Sequence, residues 1–283
     1  MPTATLYIVA TPIGNLEDVT LRALRILKEV HCIAAEDTRR TKKLLNAYGI
    51  RTPLVSLYDQ TERSRTPSLI RRLQEGQDIA YVADAGTPGI SDPGYVLVNG
   101  AIQAGIPVVP VPGPTASIAA LCVSGLPMNR FLFAGFLPAR SPARRRFLES
   151  LKAEEGTLLF YESPTRLTES IRDMAAVLGD RKAVVAREVT KIHEEILRGT
   201  LGTLLESLSG REVKGEVVVL VDGCPDSTGE VTDESILRVL EEARRRGIHS
   251  SRDLATEACR CLGVPKKRAY GLIVRHADRN GPS

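Results

Sequence analysis

Asp84-Ala-Gly-Thr-Pro-Gly-Ile-Ser-Asp-Pro-Gly94 is the stretch of sequence that decides the fold. It directly follows residues 79–83, a short apolar segment with the length and composition of a buried strand. Two more turns, Thr11-Pro-Ile-Gly-Asn-Leu16 and Pro112-Gly-Pro-Thr-Ala-Ser117, also follow strand-like segments. Loops at the carboxyl ends of parallel strands meet at one edge of a sheet, so the three together predict a ligand crevice.

The composition of these loops favours a preshaped site. Glycine lets the backbone approach a ligand closely, and proline fixes the loop before binding. None of the loops has the Gly-x-x-x-x-Gly-Lys-Ser/Thr or Gly-x-Gly-x-x-Gly pattern that cradles phosphates. The alternative is that they are only tight turns, but three of them on one sheet edge favour a ligand site.

Strand-like and helix-like segments alternate along the first 225 residues, which predicts an α/β fold with a parallel sheet covered on both faces. A cluster of turn residues near 118 indicates a boundary, giving an N-terminal α/β domain over 1–117 and a second one over 118–225. The predicted strands are 5–10, 31–35, 54–57, 79–83, 108–111, 132–134, 157–161, 183–187 and 216–221, with an added strand at 195–198 that could pair antiparallel. The predicted helices are 21–30, 40–48, 67–74, 95–104, 144–152 and 166–178.

The remaining residues, 230–283, predict a small helical domain after a linker at 224–229. Three helical segments fit. Gly247 ends the first, Gly263 ends the second, and Pro265 suits the first turn of the third. Helix, short turn, helix is the layout of a helix-turn-helix, a motif of nucleic-acid-binding proteins. The alternative is a helical cap that packs on the second domain.

Positive charge is concentrated in this tail. The whole chain has a net charge of +4, yet residues 244–279 contain ten Lys or Arg against three acids. A basic terminal block favours a polyanionic partner, although a solvated helix face would look the same. Aromatic residues make up only 4% and Trp is absent, so contacts to the shape and phosphates of a nucleic acid fit better than base stacking.

Other features exclude several classes of protein. No apolar stretch approaches the roughly 20 residues of a membrane span, and the first ten residues do not look like a signal peptide. The five cysteines lack zinc or disulfide spacing, and the four histidines are scattered. We therefore expect a cytoplasmic protein without a metal site.

Together with the three loops, Ala35-Glu-Asp-Thr-Arg-Arg40 and Phe160-Tyr-Glu-Ser-Pro164 resemble the tetrapyrrole methylase superfamily, in particular its branch that methylates ribosomal RNA. The resemblance runs from about Tyr7 into the tail. It implies two α/β domains with a cleft for S-adenosylmethionine (SAM) between them. It also implies a homodimer that methylates the ribose 2′-hydroxyl of a cytidine in the decoding region of 16S ribosomal RNA or the small subunit.

The resemblance also implies which residues contact SAM. These are Pro12, Asp84, Ala85, Gly86, Thr87, Ile90, Thr115, Ala116, Tyr161, Val189 and Val219. In the small-molecule methylases of the superfamily Gly-Asp-Pro stands where this chain has Gly86-Thr87-Pro88, which makes the carry-over at Thr87 less direct.

Four residues near these motifs are candidates for assisting deprotonation of the acceptor hydroxyl, namely Asp37, Glu162, Glu188 and Lys191. Methyl transfer is an in-line displacement at about 3 Å, and a positioned base adds roughly a hundredfold. Ordinary roles, as helix-start acids or surface charges, are the alternative. The predicted RNA-binding residues are Arg39, Arg40, Lys42, Lys43, Arg144, Arg145, Arg252, Lys266, Lys267 and Arg268.

Two other functions remain open at the level of sequence. A methylase of a small tetrapyrrole would keep the SAM site and change the acceptor, although it would not need the basic tail. A non-catalytic RNA-binding assembly factor could retain the fold and lose the cofactor.

Overall fold

The computed structural model describes residues 4–224, 233–245, 248, 250–262 and 264–279. The chain forms two compact units, Met1–Gly223 and Cys224–Ser283. The predicted helix ends at Gly247 and Gly263, and most of the predicted linker, lie outside the described residues.

The first sheet is parallel throughout, as predicted. Its strand order is β3-β2-β4-β1-β5, and every neighbouring pair runs in the same direction. The carboxyl ends of its strands therefore lie at one edge. Its strands are β1 (Leu6–Val9), β2 (Cys32–Ala35), β3 (Leu54–Ser56), β4 (Ile79–Val82) and β5 (Val108–Val111).

Helices cover both faces of this sheet because its strands bury side chains on both sides. Ile26 and Leu27 pack on one face, and Leu69, Leu73 and Leu97 pack on the other. The helices are α1 (Leu21–Glu29), α2 (Thr38–Ala47), α3 (Asp59–Gln74) and α4 (Tyr95–Gln103).

The start of α3 differs from the prediction. The sequence predicts a helix over residues 67–74, beginning at Pro67. In the structure, α3 begins at Asp59, where acidic residues occupy the first turn and the Thr61 hydroxyl accepts the Tyr58 N–H at 3.2 Å. Pro67 lies within the helix.

The second sheet is mixed, which corrects the expectation that it repeats the parallel pattern. Its order is β6-β7-β10-β8-β9; only β6 and β7 are parallel, and the other neighbours are antiparallel. The antiparallel pairing predicted for the added strand is confirmed in β9. The strands are β6 (Phe131–Phe136), β7 (Thr157–Glu162), β8 (Lys182–Arg187), β9 (Glu195–Thr200) and β10 (Val217–Val221).

This sheet also lies between two helical layers. Val217, Val219 and Val221 of β10 face one core, whereas Val218 and Leu220 face the other. The first core holds α6 (Ser141–Ser150), α7 (Leu167–Leu178) and α8 (Leu201–Leu208), and the second holds α5 (Ala116–Ser124). The boundary predicted at residue 117 thus falls inside α5, a helix that packs on the second sheet.

The second unit is helical where the structure describes it. Apolar side chains from its three helices, including Ile236, Leu254 and Leu272, make one buried core. The helices are α9 (Asp233–Arg245), α10 (Ser251–Leu262) and α11 (Lys266–Arg279). Among the described helices, none combines the length and apolar composition that crossing a bilayer requires.

Candidate active site

The three loops at the edge of the first sheet are hydrogen-bonded to one another. The N–H of Thr11 donates to the carbonyl of Gly86 at 2.9 Å, and the N–H of Gly86 donates back to Thr11 at 2.9 Å. The Thr87 hydroxyl donates to the Pro114 carbonyl at 3.1 Å and lies 2.7 Å from the Thr115 hydroxyl. The crevice predicted from the loops is therefore assembled by direct contacts between them.

Glycine 86 is required at this junction. It has a φ of +80°, in the left-handed region, and an added Cβ would lie 3.3 Å from Ile13 Cγ2. Any side chain at this position would be strained and would crowd the loop that carries Ile13.

A cavity of about 470 Å³ lies beside these loops, and residues of the second sheet form its opposite wall. Most of the residues predicted to contact the cofactor line it. These are Asp84, Ala85, Gly86, Thr87, Ile90, Thr115, Ala116, Tyr161 and Val189, together with Glu162 and Arg40 from the other predicted sets.

Two predicted cofactor residues lie elsewhere. Pro12 lines a separate, smaller hollow of about 200 Å³. Val219 is fully buried in the core that contains α6 to α8, whereas Val217 and Val218, at the start of β10, line the cavity.

The first-sheet wall of the cavity is acidic. Glu36, Asp84 and Asp92 line it, and of these only Asp84 was among the predicted residues. Burial raises the pKa of Glu36, and burial together with the charges of Glu36 and Asp84 raises the pKa of Asp92 to about 7. Asp84 is bound by the N–H of Asp37 at 2.9 Å and by Arg40 at 3.4 Å. A wall with this charge suits a cationic ligand.

The backbone of the segment that carries Asp92 is held by hydrogen bonds to buried side chains. Ser91 has a φ of 65°, an uncommon conformation for a residue with a side chain. The Tyr81 hydroxyl donates to the Pro93 carbonyl at 2.7 Å, and the buried Glu62 carboxylate accepts the Gly94 N–H at 2.9 Å. These bonds fix the position of Asp92 without using its carboxylate.

The second-sheet wall is aromatic and apolar. Phe136 and Tyr161 line the cavity with ring centroids 5.5 Å apart, and Val189, Val217 and Val218 continue this surface. Phe136 was not predicted, because its position across the cavity depends on the pairing of β6 with β7.

Two of the four candidate bases are held by strong internal partners. Asp37 caps α2, and hydrogen bonds from the Arg39 side chain and backbone lower its pKa to about 2. The buried Glu162 carboxylate accepts from Ser163 N–H at 2.6 Å and the Ser170 hydroxyl at 2.5 Å, and pairs with Arg166 at 2.7 Å. Both carboxylates fix local structure.

Glu188 and Lys191 pair with each other at 2.8 Å. Burial alone would raise the pKa of Glu188, but hydrogen bonds from Lys191 and the Glu216 N–H lower it. Burial would lower the pKa of Lys191, but Glu188 and Glu216 raise it. Lys191 therefore stays charged at neutral pH, which makes it a poor proton acceptor.

The loop that carries Glu188 and Lys191 also contacts the loop that follows β1. The Thr190 hydroxyl accepts the Asn15 N–H at 3.1 Å. A Cβ at Gly14 would overlap the Lys191 side chain, so glycine is needed here for close approach.

The predicted RNA-binding residues differ in how exposed their side chains are, and the prediction for Arg144 is wrong. Its side chain is 1% exposed and pairs with Asp173 at 2.7 Å, so it joins α6 to α7 and cannot reach RNA. The half-exposed Arg145 also binds Asp173, and the exposed Arg39 is tied to Asp37. The remaining cations are exposed, namely Arg40, Lys42, Lys43, Arg252, Lys266, Lys267 and Arg268.

Across the described stretches of chain, no group of three or more His, Cys, Asp or Glu side chains is placed to hold a metal ion.

Comparison with known families accounts for this architecture. The family model of the Tetrapyrrole (Corrin/Porphyrin) Methylases matches residues 5–205. The chain therefore belongs to the tetrapyrrole methylase family.

Curated relatives show to which members of this family the chain is closely similar in sequence. A protein of Halalkalibacterium halodurans is 47% identical over 272 residues, covering 95% of this chain and 94% of the relative. One of Haemophilus influenzae is 48% identical over 282 residues, covering 98% and 99%. Both are named ribosomal RNA small subunit methyltransferase I, and within its family the chain belongs with relatives of that name.

Solved structures share the fold at lower identity. Uroporphyrin-III-C-methyltransferase from Thermus thermophilus superposes with a TM-score of 0.57 at 21% identity, covering 81% of this chain and 98% of that one. A diphthine synthase gives 0.61 at 16% identity, covering 77% and 90%. These likenesses confirm the predicted fold class.

Proposed function

We propose that this protein transfers a methyl group from SAM to small-subunit ribosomal RNA. The acceptor proposed is the ribose 2′-hydroxyl of a cytidine in the decoding region of 16S RNA. The observation that carries the proposal is the convergence of three loops on one cavity with an acidic wall and an apolar wall. Membership of the methylase family and the names of the relatives support the RNA acceptor.

The residues of the cavity fit SAM. Its sulfonium and ammonium groups are cations, and Glu36, Asp84 and Asp92 supply negative charge on the first-sheet wall. The aromatic and apolar wall around Phe136 and Tyr161 suits the adenine. Thr87 and Thr115 offer hydroxyls at the loop junction.

SAM would supply an electrophilic methyl group on a positively charged sulfur; the thioether product would leave as the acceptor oxygen takes the methyl group, and the hydroxyl proton would pass to solvent water. The contribution of this chain is orientation, because its loops are already joined before any ligand arrives. Asp37, Glu162, Glu188 and Lys191 act as positioning residues, since each is bound by partners within the fold.

RNA would reach the cavity along exposed cations. Arg40 lines the cavity itself and Lys43 lines the hollow beside it, whereas Lys42, also exposed, lines neither. Arg252, Lys266, Lys267 and Arg268 give the helical unit its basic character, which supports an RNA-binding tail. We further propose a cytoplasmic homodimer, as the family resemblance implies.

Methyl transfer from labelled SAM tests the proposal. Small ribosomal subunits isolated from cells lacking this protein are incubated with the full chain, and a porphyrin precursor serves as the alternative acceptor. We expect one methyl per subunit at a ribose, located by mass spectrometry, and none on the porphyrin. Methylation of the porphyrin alone would indicate a tetrapyrrole methylase. Absence of SAM binding by calorimetry would indicate a non-catalytic assembly factor.

A further inference from the structure

A second hollow of about 200 Å³ adjoins the proposed active site, with which it shares Arg40 and Asp84. Its remaining lining includes Thr11, Leu16 and Lys43. The hollow and the cavity therefore lie next to each other, so a molecule that extends out of the cavity can reach the hollow.

Only part of the basic run on α2 faces this hollow. Arg40 and Lys43, about one helical turn apart, both line it. Arg39 is bonded to Asp37 instead, at 2.8 Å, and Lys42 is exposed outside the hollow. Within the described part of the chain, Lys43 forms no hydrogen bond or ion pair, so its charge is available to a ligand.

Thr11 gives an independent indication that the hollow takes a ligand. Its side chain is buried, with 4% of the residue exposed. Its Oγ1 finds no hydrogen-bond partner among the described residues. Buried polar atoms are nearly always paired, so this hydroxyl is an unused donor on a residue that lines the hollow.

We propose that this hollow, the Thr11–Arg40–Lys43 site, binds a phosphate of the RNA chain next to the acceptor nucleotide. Two cations and a hydroxyl donor are the groups that hold a phosphodiester. The partly exposed Leu16 gives the sugar an apolar surface. Asp84 also lines the hollow, 3.4 Å from Arg40, so the charged side chains Arg40, Lys43 and Asp84 leave the hollow one net positive charge. This inference rests on the proposed function, since it names a subsite for the same RNA.

Adjacent lysines provide a matched test in the full chain. Affinity for a fluorescent single-stranded RNA of small-subunit decoding-region sequence is measured by anisotropy across a KCl series. We expect Lys43→Ala to weaken binding roughly tenfold, as loss of a charged hydrogen bond does, and to reduce the log–log salt slope by about 0.7. Lys42→Ala should change affinity by about twofold or less. Equal effects of the two variants would overturn the phosphate site.

Thr11→Val separates binding from folding. Replacing an unpaired buried hydroxyl by a methyl group should leave the Tm unchanged or higher. The RNA affinity of the same variant should fall several-fold, and Thr11→Ser should restore it. A lowered Tm with normal RNA affinity would assign the hydroxyl to the fold and overturn the site. If the native chain does not methylate small subunits at all, the proposed function itself is wrong; if it does and Lys43 behaves as Lys42, only this inference is.

Discussion

Asp92 shows how burial changes the chemistry of a single carboxyl group. Its pKa is raised from 3.8 to about 7, so the folded protein binds a proton more tightly there than the unfolded chain does. Its ionised form therefore destabilises the free protein increasingly as the pH rises from about 4 to 7. A cationic ligand beside it would reverse this effect.

We expect Asp92→Asn to make the ligand-free protein more stable than the native one at pH 8, with the difference vanishing near pH 4. The same variant should bind SAM about tenfold more weakly at pH 8, because a charged partner is lost. Thermal unfolding across pH and calorimetry measure the two effects. Glu75→Gln, an exposed carboxyl at the end of α3, should change neither. A native protein whose SAM affinity is the same at pH 6 and pH 8 would contradict the assignment.

The sequence placed residues in the site better than it assigned their roles. The residues that could be predicted lie in contiguous motifs, namely Asp84, Ala85, Gly86, Thr87, Ile90, Thr115 and Tyr161. Asp92 lies in one of those same motifs, yet its shifted pKa depends on the desolvation and neighbouring charges created by the fold. Arg144 looked like an RNA contact because nothing local reveals its buried partner Asp173, which is distant in sequence.

At the scale of elements, α4 depends on a residue of another helix. Glu62 of α3 accepts N–H groups from Gly94 at 2.9 Å, Val96 at 2.9 Å and Leu97 at 3.2 Å. These are unpaired donors at the start of α4, so Glu62 substitutes for a local N-cap. The bond to Gly94 also anchors the segment that carries Asp92.

Glu62→Ala should lower the free energy of unfolding by about 2–4 kcal/mol, because it leaves buried donors unpaired. Glu62→Gln keeps one acceptor oxygen and should lose less than half as much. Urea denaturation followed by circular dichroism measures both. Similar losses in the two variants would mean that the negative charge, and not the acceptor geometry, holds the start of α4.

Helices α5 and α8 went unpredicted for different reasons. In α5 nearly every residue is small or apolar, so no polar face reveals its period. In α8 the capping box of Thr200 and Thr203 was a usable signal. The antiparallel pairing of β10 in the second sheet could not be predicted, because a short apolar strand has the same sequence pattern in a buried parallel sheet as in a buried antiparallel one.

At the scale of the whole molecule, two compact units divide the chain at Gly223. A fragment ending at Gly223 should bind SAM within about twofold of the full chain, because every residue that lines the cavity lies before that point. Its RNA affinity should fall, with a smaller salt slope, because the exposed cations of α10 and α11 are lost. Calorimetry and anisotropy measure these changes.

Lys266→Ala/Lys267→Ala in the full chain is the matched control for the fragment. It should reproduce part of the loss of RNA affinity while leaving SAM binding unchanged. Parallel loss of SAM and RNA binding in the fragment would show that residues 224–283 support the fold of the first unit.

The position of β10 affects how the protein is made. Among the described residues it is the last strand in sequence, yet it lies in the middle of the second sheet between β7 and β8. During synthesis, the edges of β7 and β8 that pair with β10 therefore stay unpaired until β10 has been made. A nascent chain gains one wall of its cavity only when residues 217–221 have left the ribosome, so affinity for the methyl donor arises near the end of translation.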